Sequence, residues 1–190
     1  MKNSQFLYVL IFLGFQFAIK AQVSGKIKRM YTTNKTESIK PPVIDGVIDD
    51  ESWNLVPWNS DFIENEPDEN TAPTYQTKFK IVYDDKFLYF AVLALDPEPD
   101  KIEKRLSRRD GFQGDRVNLL LDSYNDKRTA FIFTVTAAGV KGDEFVTNDG
   151  GNIDDSWNPV WYTKAQINKE GWSAEMKIPL SQLRFGSGDN

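Results

Sequence analysis

"TYQTKFKIVYDDKFLYFAVLALD" (residues 74–96) changes character at its midpoint. In the first half Tyr75, Thr77, Phe79, Ile81 and Tyr83 alternate with Gln76, Lys78 and Lys80. That period of two marks a β-strand with one face toward a core and one toward water. "DDK" (84–86) is a turn. The second half is apolar without a break, as expected of a strand covered on both faces. The two halves therefore pair as a hairpin whose second strand sits centrally in a sheet.

The same pattern continues toward the C-terminus. "DPEPDKIEKRLSRRDG" (96–111) is a connection with one short helix near 100–106. "DRVNLLLDS" (115–123) is a strand with Val117, Leu119 and Leu121 on one face, and "YNDKR" turns it. "TAFIFTVTAAG" (129–139) is rich in β-branched and aromatic residues and forms another strand. "VKGDEFVTNDGGNIDDSWNP" (140–159) is a long polar loop with a short strand at 144–147. "VWYTKAQIN" (160–168) and "GWSAEMKIPL" (171–180) make a last hairpin, with Trp172, Ala174, Met176 and Ile178 inward and Ser173, Glu175 and Lys177 outward. Pro179 ends that ladder because it has no N–H to donate. Seven or eight strands with almost no helix predict an all-β chain. The expected fold is an antiparallel β-sandwich of immunoglobulin or jelly-roll type, with one short helix after the first strand.

That helix is expected in "PPVIDGVIDDESW" (41–53). Val43-Ile44 is a short strand and Asp45-Gly46 a turn. Asp49 suits the N-cap, Asp50 and Glu51 suit the positive end of the helix dipole, and Ile48 and Trp53 form a hydrophobic staple. The acids here read as structural, with Trp53 closing the end of the sandwich over Ile48. Trp53 and Trp172 are expected in the core.

At the N-terminus, Lys2 precedes an apolar run from Phe6 to Ile19 and a small Ala21. The run is too short to span a bilayer and suits a signal peptide, residues 1–21, cleaved before Gln22. Residues 22–40 form a polar leader with an edge strand near 27–33, and the sandwich is expected over 41–190. The polar ending "LRFGSGDN" reads as a stop before a further strand, as in an N-terminal fragment of a longer protein. An exported domain would reside in the periplasm, at the outer membrane or outside the cell. The net charge of −5 becomes −7 once Lys2 and Lys20 are removed. Such a chain is a poor partner for nucleic acid.

The chain has no Cys and no His. Disulfides, thiolate nucleophiles, His-based zinc sites and Ser–His–Asp catalysis are excluded. A glycosidase needs two carboxyl groups about 5–10 Å apart, and Asp115 and Asp122, which bracket one strand, are separated by roughly 23 Å of extended chain. No catalytic residue is assigned. The loop "GDEFVTNDGGNIDD" has the oxygen-rich composition of a calcium loop without the EF-hand spacing. Asp143, Asp149, Asp154 and Asp155 are its candidate ligands, and structural calcium is the candidate cofactor. Phe112, Trp157 and Trp161 lie in or beside polar loops and could stack on flat ligands. The same rings, Trp161 above all, would also serve to plug an open end of the sandwich.

"IDGVIDDESW", "VYDDKFLYFAVLALDPEP", "DRVNLLLDSYND" and "GWSAEMKIPLSQLRF", in that order, resemble the family 9 carbohydrate-binding domain from about Pro42 to Phe185. "DSYNDKRTAFIFTVTAAGVKGDE" is similar to a branch in which the domain follows a signal peptide and precedes an outer-membrane β-barrel. The resemblance implies a β-sandwich that binds sugars, in which two clamping aromatics, an acid and an arginine hold the ligand. The first aromatic falls at Phe112, the acid's position at Asn118 and the arginine's at Thr134; the second aromatic falls beyond Asn190. Phe112, Asn118, Trp157, Trp161, Arg108 and Arg109 are accordingly the candidate ligand-binding residues.

Three functional readings follow. The first is an exported carbohydrate-binding module, binding weakly by aromatic stacking and serving carbohydrate breakdown by a larger protein. The second is a structural or interaction domain of a barrel protein with a degenerate sugar site. The third is part of a glycoside hydrolase whose catalytic residues lie elsewhere.

Overall fold

The computed structural model describes residues 29–37 and 39–186. The expected signal peptide and residues 22–28 of the leader lie outside the described residues. The chain divides into two units, Met1–Met30 and Tyr31–Asn190. Only Arg29 and Met30 of the first unit are described, and both sheets belong to the second.

Nine strands form among the described residues: β1 (Asn34–Lys35), β2 (Thr77–Tyr83), β3 (Phe87–Leu95), β4 (Arg116–Leu121), β5 (Ala130–Thr136), β6 (Lys141–Thr147), β7 (Asn152–Asp154), β8 (Tyr162–Asn168) and β9 (Gly171–Pro179). They build a five-stranded sheet in the order β1-β2-β3-β9-β8 and a four-stranded sheet in the order β4-β5-β6-β7. All pairings are antiparallel except β1 with β2. The leader's edge strand thus forms at Asn34–Lys35, past the expected 27–33.

The β2–β3 hairpin runs in register from Thr77 opposite Ala94 to Tyr83 opposite Leu88. Its turn is closed by Asp84, whose Oδ1 accepts from the Lys86 and Phe87 N–H groups at 2.7 Å each. β3 is central, between β2 and β9, as its unbroken apolar run predicts. Between the sheets, Phe90, Val92, Trp172, Ala174, Met176 and Ile178 meet Leu119, Phe131, Phe133 and Val135. Burial of the Val, Leu, Ile, Phe and Met side chains among them contributes about 1.5–3 kcal/mol each.

The outer face of the five-stranded sheet departs from expectation. Lys80, Ser173 and Glu175 alternate with core residues and were expected to face water, yet Lys80 is 7 % exposed and Glu175 is 0 % exposed. A strap formed by the chain around residues 42–58 crosses this face and builds a second apolar cluster of Trp53, Val56, Val82, Tyr89 and Ala91. Trp53 therefore covers a sheet face rather than the end of the sandwich, although Ile48 does pack on its cluster.

The short helix exists as a 3₁₀ helix, Glu51–Leu55, with Asp50 at the N-cap position instead of Asp49. Neither acid caps it through a side-chain bond. Asp50 Oδ2 instead accepts from the Val43 N–H at 2.9 Å and closes the strap on itself. Asp45 acts as predicted, its Oδ1 accepting from Val47 N–H at 2.8 Å in a turn where Gly46 has φ +94°. The helix expected near 100–106 is a single 3₁₀ turn, Pro99–Lys101.

Candidate functional site

The outer face of the four-stranded sheet is set by register. Asn118 of β4 lies opposite Thr134 of β5, which lies opposite Gly142 of β6. Their neighbours in sequence, Leu119, Phe133 and Val135, point into the sandwich, so these three point out. Thr134 donates its hydroxyl to Asn118 Oδ1 at 3.0 Å. The amide nitrogen of Asn118, on an exposed residue, is left to face solvent. Arg116, two residues before Asn118, and Glu144, two residues after Gly142, share this face.

Phe112 completes the row. Its ring edge occupies the space a Cβ at position 142 would need, with Cζ 2.5 Å from that point. Only glycine at 142 lets the ring lie down on the sheet. The Arg116 guanidinium stands 5.5 Å from the Phe112 ring centroid. Phe112, Asn118, Arg116 and Glu144 thus surround one patch, with Thr134 buried beneath it at 1 % exposure.

The loop carrying Phe112 is pinned to β6 from behind. Asp110 N–H donates to Lys141 O at 3.3 Å, and Asp110 Oδ1 accepts from Asp143 N–H at 3.1 Å. Ser107 Oγ donates to Gly111 O within the loop. Arg109 reaches inward, pairing with Asp143 Oδ1 and donating to Pro159 O at 3.1 Å. Asp143 is 1 % exposed, and its Oδ1 also accepts from Trp161 Nε1 at 2.9 Å. Beside them Lys141 donates to Trp161 O at 2.9 Å. Burial, together with the Arg109 charge, holds the Lys141 ammonium below its usual pKa.

The six expected ligand residues are thereby sorted. Phe112 and Asn118 come together on the outer face. Arg108 is exposed on the same loop, and its backbone O accepts from Gly111 N–H at 3.0 Å. Arg109 anchors the loop to Asp143. Trp157 and Trp161 lie elsewhere, on the core side of the sheet. Trp157 packs against Phe131 (4.9 Å between centroids) and edge-on to Phe133 (5.5 Å). Trp161 is 1 % exposed and edge-on to Phe133 at 5.2 Å. Both rings plug the sandwich. Arg116 and Gly142 were missed in the sequence, though Arg116 is discernible from its i−2 spacing to Asn118.

The four expected calcium ligands separate. Asp143 is engaged by Arg109 and Trp161. Asp149 pairs with Arg128 at 3.5 Å. Asp154 accepts from Ser156 N–H at 3.0 Å, and Asp155 is exposed. Among the described residues no group of three or more acids gathers that could hold a metal ion. The loop's composition had suggested one, but its strands β6 and β7 pair and direct these side chains apart. Asp115 and Asp122, at the two ends of β4, hold backbone: Asp115 Oδ2 accepts from Glu103 N–H of the preceding connection at 2.9 Å, and Asp122 Oδ2 accepts from Lys127 N–H in the following turn at 2.8 Å.

The most perturbed acid is on the other sheet. Glu175 Oε2 accepts from the N–H groups of Asp45 (3.1 Å) and Gly46 (3.0 Å), and Oε1 accepts from Trp53 Nε1 (2.9 Å). Burial pushes its carboxyl up to about 7 despite these three bonds. Ser173 Oγ adds a bond to Gly46 O at 2.7 Å. The two residues fasten the strap, so Glu175 has a structural task.

Residues 44–189 match the family described as carbohydrate family 9 binding domain-like. No curated protein sequence matches the chain. Among solved structures, a carbohydrate-binding module of family 9 from Caldicellulosiruptor kristjanssonii, in complex with glucose, is 28 % identical with a TM-score of 0.56, covering 81 % of this chain and 70 % of that one. Its complex with cellotriose matches at the same identity and TM-score, covering 81 % of this chain and 68 % of that one. A Bacteroides uniformis protein assigned provisionally to carbohydrate binding is 13 % identical with a TM-score of 0.52, over 68 % of this chain and 62 % of that one, and shares the fold.

Proposed function

Because the chain belongs to the carbohydrate family 9 binding domain-like family, we propose that it binds a neutral saccharide on the outer face of the four-stranded sheet. The observation that carries this reading is the placement of Phe112 over Gly142, in one row with Asn118 and Thr134. The ring offers a stacking face for the C–H side of a sugar. Asn118 Nδ2 and the Arg116 guanidinium are donors, and Glu144 is an acceptor, for hydroxyl groups. One aromatic platform with few polar partners supports weak binding, with Kd on the order of 1 mM. Glucose and cellotriose, the sugars held by the Caldicellulosiruptor module, are the first ligands to test. In the cell the domain would be exported and would present saccharide to a larger protein that degrades it.

Isothermal titration with both sugars tests the reading. Wild type is expected to bind at least one, and Phe112→Ala to remove the binding at this face with its fold intact. A wild type silent at tens of millimolar sugar, or a Phe112→Ala variant that binds undiminished, would overturn it.

A second reading is favoured by one observation. Thr134 is buried and its hydroxyl is spent on Asn118. Where the resemblance implies an acid and an arginine, this chain carries Asn118 and Thr134, two small polar groups bonded to each other. On that reading the face is an interaction surface, toward a barrel partner or another domain. The same titration separates the two.

A further inference from the structure

The strap that crosses the five-stranded sheet leaves a recess beside it, about 470 Å³ in volume. Its floor is one register row of the outer face: Lys78 of β2, Leu93 of β3, Ser173 of β9 and Gln166 of β8. Val47 and Ile48 of the strap and Trp58 form the wall, and Asn168 and Glu170 stand at the rim. Neither core cluster includes Trp58, which is 38 % exposed.

Trp58 is held in place without being covered. The Lys80 ammonium lies 4.9 Å from its ring centroid and is itself fixed by donating to Trp53 O at 2.6 Å. Such a cation over the ring orients the indole. Among the described residues the side chains of Lys78, Gln166 and Glu170 hold no hydrogen bond or ion pair. They therefore present two kinds of donor and two kinds of acceptor to a ligand. One lysine and one glutamate leave the lining without net charge. An apolar floor at Leu93, an oriented aromatic wall and a rim of unspent amide and charged groups suit a neutral polyhydroxylated ring.

We propose that this recess is a second saccharide site, distinct from the Phe112 face and on the opposite sheet. Trp58 would stack on the sugar ring while Gln166, Glu170 and Lys78 hydrogen-bond its hydroxyls. The two sites lie on outer faces of opposite sheets, so one domain could hold two chains or two segments of one chain. The ligand class is that of the Phe112 site, but the residues are different, and each site can fail alone.

The test uses the full chain, with cellotriose, xylotriose and mannotriose as probes. Indole N–H resonances are followed by NMR and stoichiometry by titration calorimetry. For at least one probe, the Trp58 indole resonance is expected to shift in Phe112→Ala as in wild type. Trp58→Ala should weaken that binding at least tenfold and leave the Phe112 site unchanged. Gln166→Ala, at an exposed strand position that leaves Trp58 and its packing in place, should weaken it severalfold and provides a second variant. A Trp58 resonance that no probe moves overturns the inference, whether or not the Phe112 site binds. So does binding at the recess that survives both variants.

Discussion

Glu175→Gln tests the link between the strap and the sheet. The wild-type carboxyl has a folded pKa of about 7 against an ordinary value of 4.5. The native state therefore binds more protons than the unfolded state between these values, and stability falls as pH rises through that window. A shift of this size corresponds to about 3 kcal/mol, at 1.36 kcal/mol per unit. That contribution is fully present below pH 4.5 and lost above pH 7. Glutamine does not titrate. Urea unfolding at pH 4.5 to 8.5 should show the wild type losing about 3 kcal/mol relative to Glu175→Gln across the window. The carboxyl carbon shift of Glu175 should report the same midpoint by NMR. Trp53→Phe removes the indole donor at 2.9 Å, one of the three bonds that favour the charged form, and should move that midpoint higher. Parallel stability profiles for wild type and Glu175→Gln would refute the assignment of the titration to this residue. A midpoint near 4.5 would refute the burial argument itself.

Gly142→Ala should displace the Phe112 ring, since the new methyl falls where the ring edge lies; sugar binding at the Phe112 face should be lost while the circular dichroism spectrum is kept, and undiminished binding there would count against the Phe112 platform. Arg109→Ala should cost roughly 3 kcal/mol in chemical denaturation, because it leaves the buried Asp143 carboxylate without its cation; a loss under 0.5 kcal/mol would show that pair to be solvent-relieved. Asp50→Ala should cost about 1 kcal/mol, the worth of its bond to the Val43 N–H. Asp49→Ala should be nearly neutral in the same measurement, and the reverse order would restore Asp49 as the cap.

The local elements were legible because strand and turn signals act over a few residues. The alternation of "TYQTKFKIVY" gave β2, and the unbroken run after it gave a central β3. Trp172, Ala174, Met176 and Ile178 were read as inward and are buried. Of the proposed site, Phe112 was singled out as an aromatic in a polar loop and again by the family resemblance, and Asn118 by the resemblance alone. Among the described residues the four acids proposed for calcium do not gather, because composition counts oxygen ligands without saying where strand pairing sends them. Trp157 and Trp161 were ambiguous because a polar loop sequence does not reveal whether its aromatic turns in or out.

By itself the sequence determined the longer strands and their turns, the inward residues of β9 and the all-β class, though not the short edge strands β1 and β7, nor the extended but unpaired course of Val43-Ile44, which was read as a strand. These follow from period-two burial and from the backbone preferences of Gly, Pro, Asp and β-branched residues. Alternation shows that a strand has two unlike faces; it does not show what comes to lie on the polar one. Lys80 and Glu175 read as solvated, and are buried because a strap more than a hundred residues before Glu175 lies across them. Phe112 likewise lies down on the outer face only because β6 places a glycine beneath it. Such long-range contacts depend on the register and stacking of whole sheets, which the tertiary structure alone decides.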